Sequence, residues 1–165
     1  MKKIAIIGAG ISGLFIANLF KDDSNYQVTI YEKNKSIELD KGYGIQLSPN
    51  SIKLLNKIGF SSLKYEDRFN PKKIDFYETK QKKKICDLNI SKFNLENCKY
   101  TTLKRFKLVK FLKDRLDNNI IEYDHGIKKI ESCNDEINLT FNNDNNVICD
   151  RLIISDGIFS KGKSL

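Results

Sequence analysis

Residues 4–32, IAIIGAGISGLFIANLFKDDSNYQVTIYE, decide how this chain folds. An apolar strand leads into Gly8-x-Gly10-x-x-Gly13, and an apolar helix and a second strand follow. In such a turn the first glycine permits a tight bend, the second lets a pyrophosphate approach the backbone, and the third lets the helix pack against the sheet. The helix also points its free N–H groups and its positive end at the phosphates. The stretch therefore predicts a dinucleotide-binding βαβ unit.

The second strand ends in an acid at the position where such units bind a ribose. Glu32 lies 19 residues after Gly13, close to the separation of about 20 at which a carboxylate accepts hydrogen bonds from the adenosine ribose hydroxyls. A carboxylate disfavours a 2′-phosphate, so NADP fits this pocket poorly. Two alternatives fit less well. A secretory signal peptide is disfavoured because three glycines interrupt the apolar run, and a βαβ unit without a ligand is disfavoured because an acid ends the second strand.

Charge and composition exclude several classes of protein. The net charge is +8, but the lysines are spread along the chain, and the densest cluster, 80–84, is typical of a solvated hairpin turn. No recognition motif or interleaved aromatic residues accompany the charge, so we expect no nucleic-acid binding. No stretch is long and apolar enough to predict an integral membrane segment.

The four cysteines and the single histidine form none of the common zinc patterns, because no CxxC pair is present. We therefore expect no metal site. The cysteines are typical of reduced thiols in a cytoplasmic protein. His125 precedes Gly126 in a polar turn, and we expect an ordinary surface histidine there.

Beyond the first unit, the pattern predicts further helices and strands. A short strand at 42–47 contains two glycines, which indicates close approach of a ligand or a neighbouring chain. A helix capped by Ser48 should end at Gly59. The other predicted elements are a hairpin at 72–90, a helix over about 103–116 capped by Thr101 or Thr102, a strand at 120–123, a β-meander over 127–149 and a last strand at 151–154.

Four stretches, in this order, resemble the N-terminal part of single-component FAD-dependent aromatic hydroxylases, such as the salicylate, p-hydroxybenzoate and ubiquinone-pathway enzymes. They are GAGISG with Tyr31-Glu32-Lys33, then GYGIQLSPNSIKLLNKIGF at 42–60, then Arg105-x-x-Leu108, and finally IISDGIFSKGK at 153–163. The second stretch is most similar to the salicylate-hydroxylase-like members. The fourth resembles the family's DG motif, an apolar strand followed by Asp-Gly-x-x-Ser.

The resemblance implies an α/β fold: a Rossmann-like FAD-binding domain of the glutathione-reductase type, with a parallel sheet, a β-meander crossover and a partial second sheet. One domain would span 1–165, incomplete at its C-terminus, and the hairpin at 72–90 would belong to a partial substrate domain. The glycines would hold the FAD pyrophosphate, Glu32 the ribose, and Arg105 the phosphate or ribityl region. The cofactor-binding residues it implies are Gly8, Ala9, Gly10, Ile11, Ser12, Gly13, Glu32, Lys33, Gly44, Arg105, Asp156 and Gly157.

By the same resemblance, the enzyme would use NADH or NADPH and molecular oxygen to hydroxylate a small aromatic substrate. No catalytic residue can be named. Lys163 stands where the DG motif usually ends in arginine, and the sequence ends at Leu165 without the family's second FAD motif, a Gly-Asp before a helix. A truncated, non-catalytic fragment and a related FAD-dependent oxidoreductase therefore remain alternatives. We also expect uncovered sheet faces to cause self-association.

Overall fold

The computed structural model describes residues 1–37, 39 and 43–162. Two positions of the resemblance, Gly42 and Lys163, lie outside the described residues. The chain divides into two compact units, Met1–Lys41 with Val109–Leu165, and Gly42–Leu108. In chain order, the helices and strands are β1 (Lys2–Ile7), α1 (Ile11–Phe20), β2 (Tyr26–Tyr31), β3 (Gly44–Leu47), α2 (Pro49–Asn56), β4 (Ile74–Tyr77), β5 (Lys84–Leu88), β6 (Thr101–Lys104), α3 (Arg105–Lys113), β7 (Ile121–Glu122), β8 (Ile127–Cys133), β9 (Glu136–Phe141), β10 (Asn146–Cys149) and β11 (Arg151–Ile154).

The first unit contains a parallel sheet and an antiparallel meander. The parallel sheet has the order β11-β1-β2-β7, and the meander has the order β10-β9-β8. Strand β11 follows the meander directly and pairs with β1 from Ile4↔Arg151 to Ile7↔Ile154. The predicted α/β class, with its parallel sheet and β-meander crossover, is confirmed.

Strand β1 is buried on both faces, because alternate side chains of a strand point in opposite directions. Ile6 lies on the side of α1, and its Cγ2 is 3.3 Å from the position that a Cβ on Gly13 would take. Ala5 and Ile7 belong instead to an apolar cluster with Phe141 and Leu139 of the meander. The core therefore fixes the end of β1, from which the glycine-rich turn departs.

A buried side-chain amide connects helix α1 to the end of α3. The Asn18 side chain donates hydrogen bonds from Nδ2 to the carbonyl oxygens of Leu14, 2.9 Å away, and Leu112, 2.8 Å away. Asn18 and Leu112 are both buried. This contact holds α1 against the part of α3 that belongs to the first unit.

The second unit contains two small antiparallel sheets, β3-β6 and the hairpin β4-β5. Helix α2 begins after Ser48 and ends before Gly59, which adopts φ 81°, as predicted. The predicted helix over 103–116 is wrong at its start, because Thr101–Lys104 is a strand and the helix begins at Arg105. The threonines are not caps, because β-branched residues suit a strand and their backbone pairs with β3 from Leu47↔Thr101 to Gly44↔Lys104.

Among the residues that the structure describes, no helix combines the length and the apolar character needed to cross a membrane.

Candidate dinucleotide-binding site

The glycine-rich turn begins with a glycine that the backbone requires. Gly8 has φ +100°, and its N–H donates to the carbonyl oxygen of Tyr31 at 2.8 Å. A Cβ on Gly8 would also lie 2.6 Å from the carbonyl oxygen of Ser155, which follows β11. Both the conformation and the close approach exclude a side chain here. The turn is therefore packed against the end of β11.

Gly13 is required by the packing of α1. A Cβ at this position would lie 2.0 Å from the carbonyl oxygen of Gly8, closer than any real contact. The helix therefore starts in direct contact with the turn that precedes it. Its first N–H groups are held at the end of the parallel sheet, where α/β folds bind ligands.

Gly10 is different, because neither its backbone conformation nor its packing in the described part of the chain requires a glycine. It has φ −78° and ψ −175°, which any residue adopts, and a Cβ there would meet no atom within 4 Å. Gly10 is the N-cap of α1, and in the described part of the chain no side chain caps that end and no acid occupies its first turn. The first N–H groups of a helix have no partner inside the helix. The open space beside them fits a phosphate group.

Glu32 braces this turn. The residue is 9% exposed, and its Oε2 accepts a hydrogen bond from the Ala9 N–H at 2.8 Å. The other oxygen, Oε1, accepts from Asn34, through the backbone N–H at 3.0 Å and through Nδ2 at 2.9 Å. The predicted acid is therefore beside the glycine-rich turn. Asn34 was not predicted, and the only signal in the sequence is its position two residues after the acid.

The motif after β11 lies against the same turn. The Cα of Asp156 is 3.0 Å from the position of a Cβ on Gly8, and Gly157 has φ +88°. Asp156 Oδ2 accepts hydrogen bonds from the N–H groups of Lys161, at 2.9 Å, and Gly162, at 3.0 Å. Burial opposes ionisation of Asp156, but hydrogen bonds from Gly162, the Ser160 side chain, its own N–H and Lys161 outweigh burial and lower the pKa of the carboxyl group. Asp156 therefore organises the turn that follows it.

His125 is not the ordinary surface histidine that we expected. Its ring packs edge-on against Phe141, with centroids 5.0 Å apart, and its Nδ1 donates to the carbonyl oxygen of Tyr123 at 2.6 Å. Its backbone N–H donates to the carbonyl oxygen of Glu32 at 2.9 Å. The prediction was wrong because Phe141 in β9 and Glu32 after β2 are far from His125 in sequence, and no local pattern shows that the ring turns to the carbonyl oxygen of Tyr123. His125 supports the segment that carries Glu32.

The structure brings most of the predicted site residues together in the first unit. There, Ile11 and Ser12 form the start of α1. Lys33 is exposed and lies beside Gly126, where an added Cβ would be 3.5 Å from the Cβ of Lys33. Gly44 and Arg105 belong to the second unit. Gly44 pairs with Lys104 next to Arg105, whose N–H donates to the carbonyl oxygen of Tyr43 at 3.0 Å.

The four cysteines are free, and two of them, Cys98 and Cys149, are buried. Burial raises the pKa of the Cys149 thiol. Within residues 1–37, 39 and 43–162, no three His, Cys, Asp or Glu side chains lie close enough together to hold a metal ion.

Comparisons with known proteins agree with this geometry. Residues 6–39 match the family model of an NAD(P)-binding Rossmann-like domain. The chain is 40% identical over 60 residues to 3-amino-4-hydroxybenzoate 2-monooxygenase PtnB3 of Streptomyces platensis, a match that covers 36% of this chain and 14% of that protein. It is 23% identical over 164 residues to 6-hydroxynicotinate 3-monooxygenase of Pseudomonas fluorescens, which covers 96% of this chain and 41% of the relative.

A solved structure has the same fold. The crystal structure of HpxO from Klebsiella pneumoniae, complexed with FAD and uric acid, superposes with a TM-score of 0.74 at 20% identity and covers 92% of this chain and 38% of HpxO. The chain thus spans about two fifths of the length of the relatives that it matches from end to end. The resemblance to the N-terminal part of FAD-dependent aromatic monooxygenases is confirmed.

Proposed function

We propose that this chain is the FAD-binding portion of an NAD(P)H-dependent flavoprotein monooxygenase that hydroxylates a small aromatic molecule. The open space at Gly10 carries the proposal, because neither the backbone nor the packing requires a glycine there. The chain's similarity to aromatic monooxygenases, and to a fold that binds FAD in HpxO, supports FAD as the ligand.

In this proposal, the chain's own residues bind and orient the cofactor. The N–H groups of residues 10–13 receive the pyrophosphate, and Glu32 accepts hydrogen bonds from the adenosine ribose. Arg105 binds the phosphate or ribityl region, Gly44 is a further cofactor-binding residue, and Asp156 and Gly157 lie near the cofactor. Bound FAD supplies the redox chemistry, with NADH or NADPH as electron donor and oxygen as co-substrate.

Three further assignments belong to this proposal. The hairpin β4-β5 is part of a substrate domain, and the rest of the chain is the FAD-binding domain. The protein is cytoplasmic, which its four free thiols favour. The alternatives are a non-catalytic piece of such an enzyme, which keeps the fold but binds the dinucleotide weakly or not at all, and a related FAD-dependent oxidoreductase.

A titration with FAD, followed by flavin fluorescence, tests the proposal. We expect a dissociation constant in the micromolar range or tighter, equivalent to about 8 kcal/mol. Glu32→Ala should weaken binding by about tenfold or more, because it removes the acceptor for the ribose and the brace on Ala9. Glu122→Gln is the matched control, since Glu122 is an exposed acid on the neighbouring strand β7.

Saturable binding that is weakened by Glu32→Ala and unaffected by Glu122→Gln would support a working FAD site and justify assays of NADH and NADPH oxidation with candidate phenols. Absence of FAD binding by the wild-type chain would overturn the proposal and favour the non-catalytic alternative.

We also propose that the exposed hairpin promotes self-association. Every residue of β5 is exposed, and Ile85 is 68% exposed. Exposed apolar side chains on a two-stranded sheet favour contact with another chain. We expect the average mass in sedimentation experiments to rise with concentration, and Ile85→Lys to reduce this rise. Gln81→Lys adds the same charge at the nearby turn without removing apolar surface, so it should associate like the wild type. A wild-type monomer at every concentration would contradict the prediction.

A further inference from the structure

Glu32 has a neighbour that the glycine fingerprint does not include. Asn34 donates two hydrogen bonds to Glu32 Oε1, from its backbone N–H and from Nδ2. A carboxylate oxygen accepts about two hydrogen bonds, so Asn34 fills Oε1. Oε2 accepts a hydrogen bond from the Ala9 N–H and is directed at the glycine-rich turn. The orientation of the acid thus depends on Asn34.

Asn34 is itself held in place. Its carbonyl oxygen accepts a hydrogen bond from the Asp124 N–H at 3.2 Å, and the carbonyl oxygen of Glu32 accepts from the next residue, His125, at 2.9 Å. Two consecutive N–H groups of the turn before β8 therefore fix the backbone on both sides of Lys33. The amide of Asn34 is presented to Glu32 by a supported segment.

We propose that Asn34 is a positioning residue, whose side-chain amide holds the Glu32 carboxylate against the glycine-rich turn in the orientation that binds the adenosine ribose of FAD. The inference rests on the proposed function, and it adds a residue that acts through Glu32 rather than on the cofactor.

The chain contains a matched control for this local arrangement. Asn25 lies two residues after Asp23, and its N–H and Nδ2 donate to Asp23 Oδ1 at 3.0 and 2.9 Å. This repeats the geometry of Asn34 and Glu32. The Asp23 pair is exposed in the turn between α1 and β2 and braces no glycine-rich turn.

The first test is FAD titration of the full chain. Asn34→Ala should weaken FAD binding about tenfold or more, the effect of losing one hydrogen bond to a charged group. Asn34→Asp should weaken it further, because it replaces the donor with a second negative charge. Asn25→Ala should bind FAD like the wild type.

A double-mutant cycle separates positioning from a merely structural role. If Asn34 acts through Glu32, adding Asn34→Ala to Glu32→Ala should cause no further loss of FAD affinity. If Asn34→Ala binds like the wild type, or if the two losses multiply in the double variant, the inference is wrong.

A measurement without FAD keeps the inference distinct from the proposed function. In the ligand-free chain, Asn34→Ala should shift the Ala9 amide resonance and speed its hydrogen exchange, since the carboxylate that accepts from Ala9 loses one of the two hydrogen bonds from Asn34 and is held only by the backbone N–H. Asn25→Ala should leave Ala9 unchanged. If the wild type does not bind FAD, the proposed function fails, and the Ala9 amide alone then decides whether Asn34 positions Glu32. An Ala9 amide that is unchanged in Asn34→Ala would overturn the inference about Asn34.

Discussion

Replacing Gly13 with alanine is expected to lower the free energy of unfolding by about 3 kcal/mol or more. The new Cβ would lie 2.0 Å from the carbonyl oxygen of Gly8, so α1 must move away from the turn. The neighbouring atom belongs to the backbone and cannot rotate aside as the end of a side chain could. Displacing α1 also disturbs the buried contacts of Leu14 and Asn18. Urea denaturation followed by circular dichroism measures the loss.

Gly10→Ala is the control for this prediction. Gly10 lies in the same turn, but a Cβ there meets nothing within 4 Å, and its φ of −78° suits alanine. We expect a change of no more than about 1 kcal/mol, from the weaker N-cap. A Gly13→Ala variant with the stability of Gly10→Ala would show that α1 does not approach Gly8 as closely as described.

The features predicted correctly from the sequence are those with a local signal. The glycine spacing predicts the turn, and short runs with apolar residues, divided by polar turns, predict β8, β9 and β10. Strand β6 was missed, because its partner β3 is distant in sequence and Leu103 looks equally like the start of an amphipathic helix. Only the pairing across that distance decides that residues 101–104 are extended.

The same distinction applies to the site. The glycines and Glu32 follow from a known spacing, which the structure places at one end of the parallel sheet. Asn34 and His125 could not be predicted, because their roles depend on hydrogen bonds between the end of β2 and the turn before β8. These contacts exist only after both segments are folded. Residues that position a site are therefore harder to predict than residues that bind directly.

The second large effect is expected on ligand binding rather than stability. Gly10→Ser should weaken FAD binding by about 30-fold or more, equivalent to about 2 kcal/mol. The serine side chain would enter the open space beside Gly10, and its hydroxyl would accept a hydrogen bond from the N–H of Ser12 or Gly13. The phosphate would lose both its room and a donor, and hydrogen bonds to charged groups contribute about 1.5–3 kcal/mol each.

The same substitution should leave the fold as stable as the wild type, or more stable by about a few tenths of a kcal/mol, because serine is a better N-cap than glycine. For Gly10→Ser, FAD titration should therefore show weaker binding, while urea denaturation should show an unchanged or slightly higher free energy of unfolding. In FAD affinity, Gly10→Ala should fall between the wild type and Gly10→Ser, since alanine fills less space than serine and offers no competing acceptor. Unchanged FAD affinity in Gly10→Ser would mean that the pyrophosphate does not bind beside Gly10, because a hydroxyl at that N-cap and a phosphate cannot use the same N–H groups.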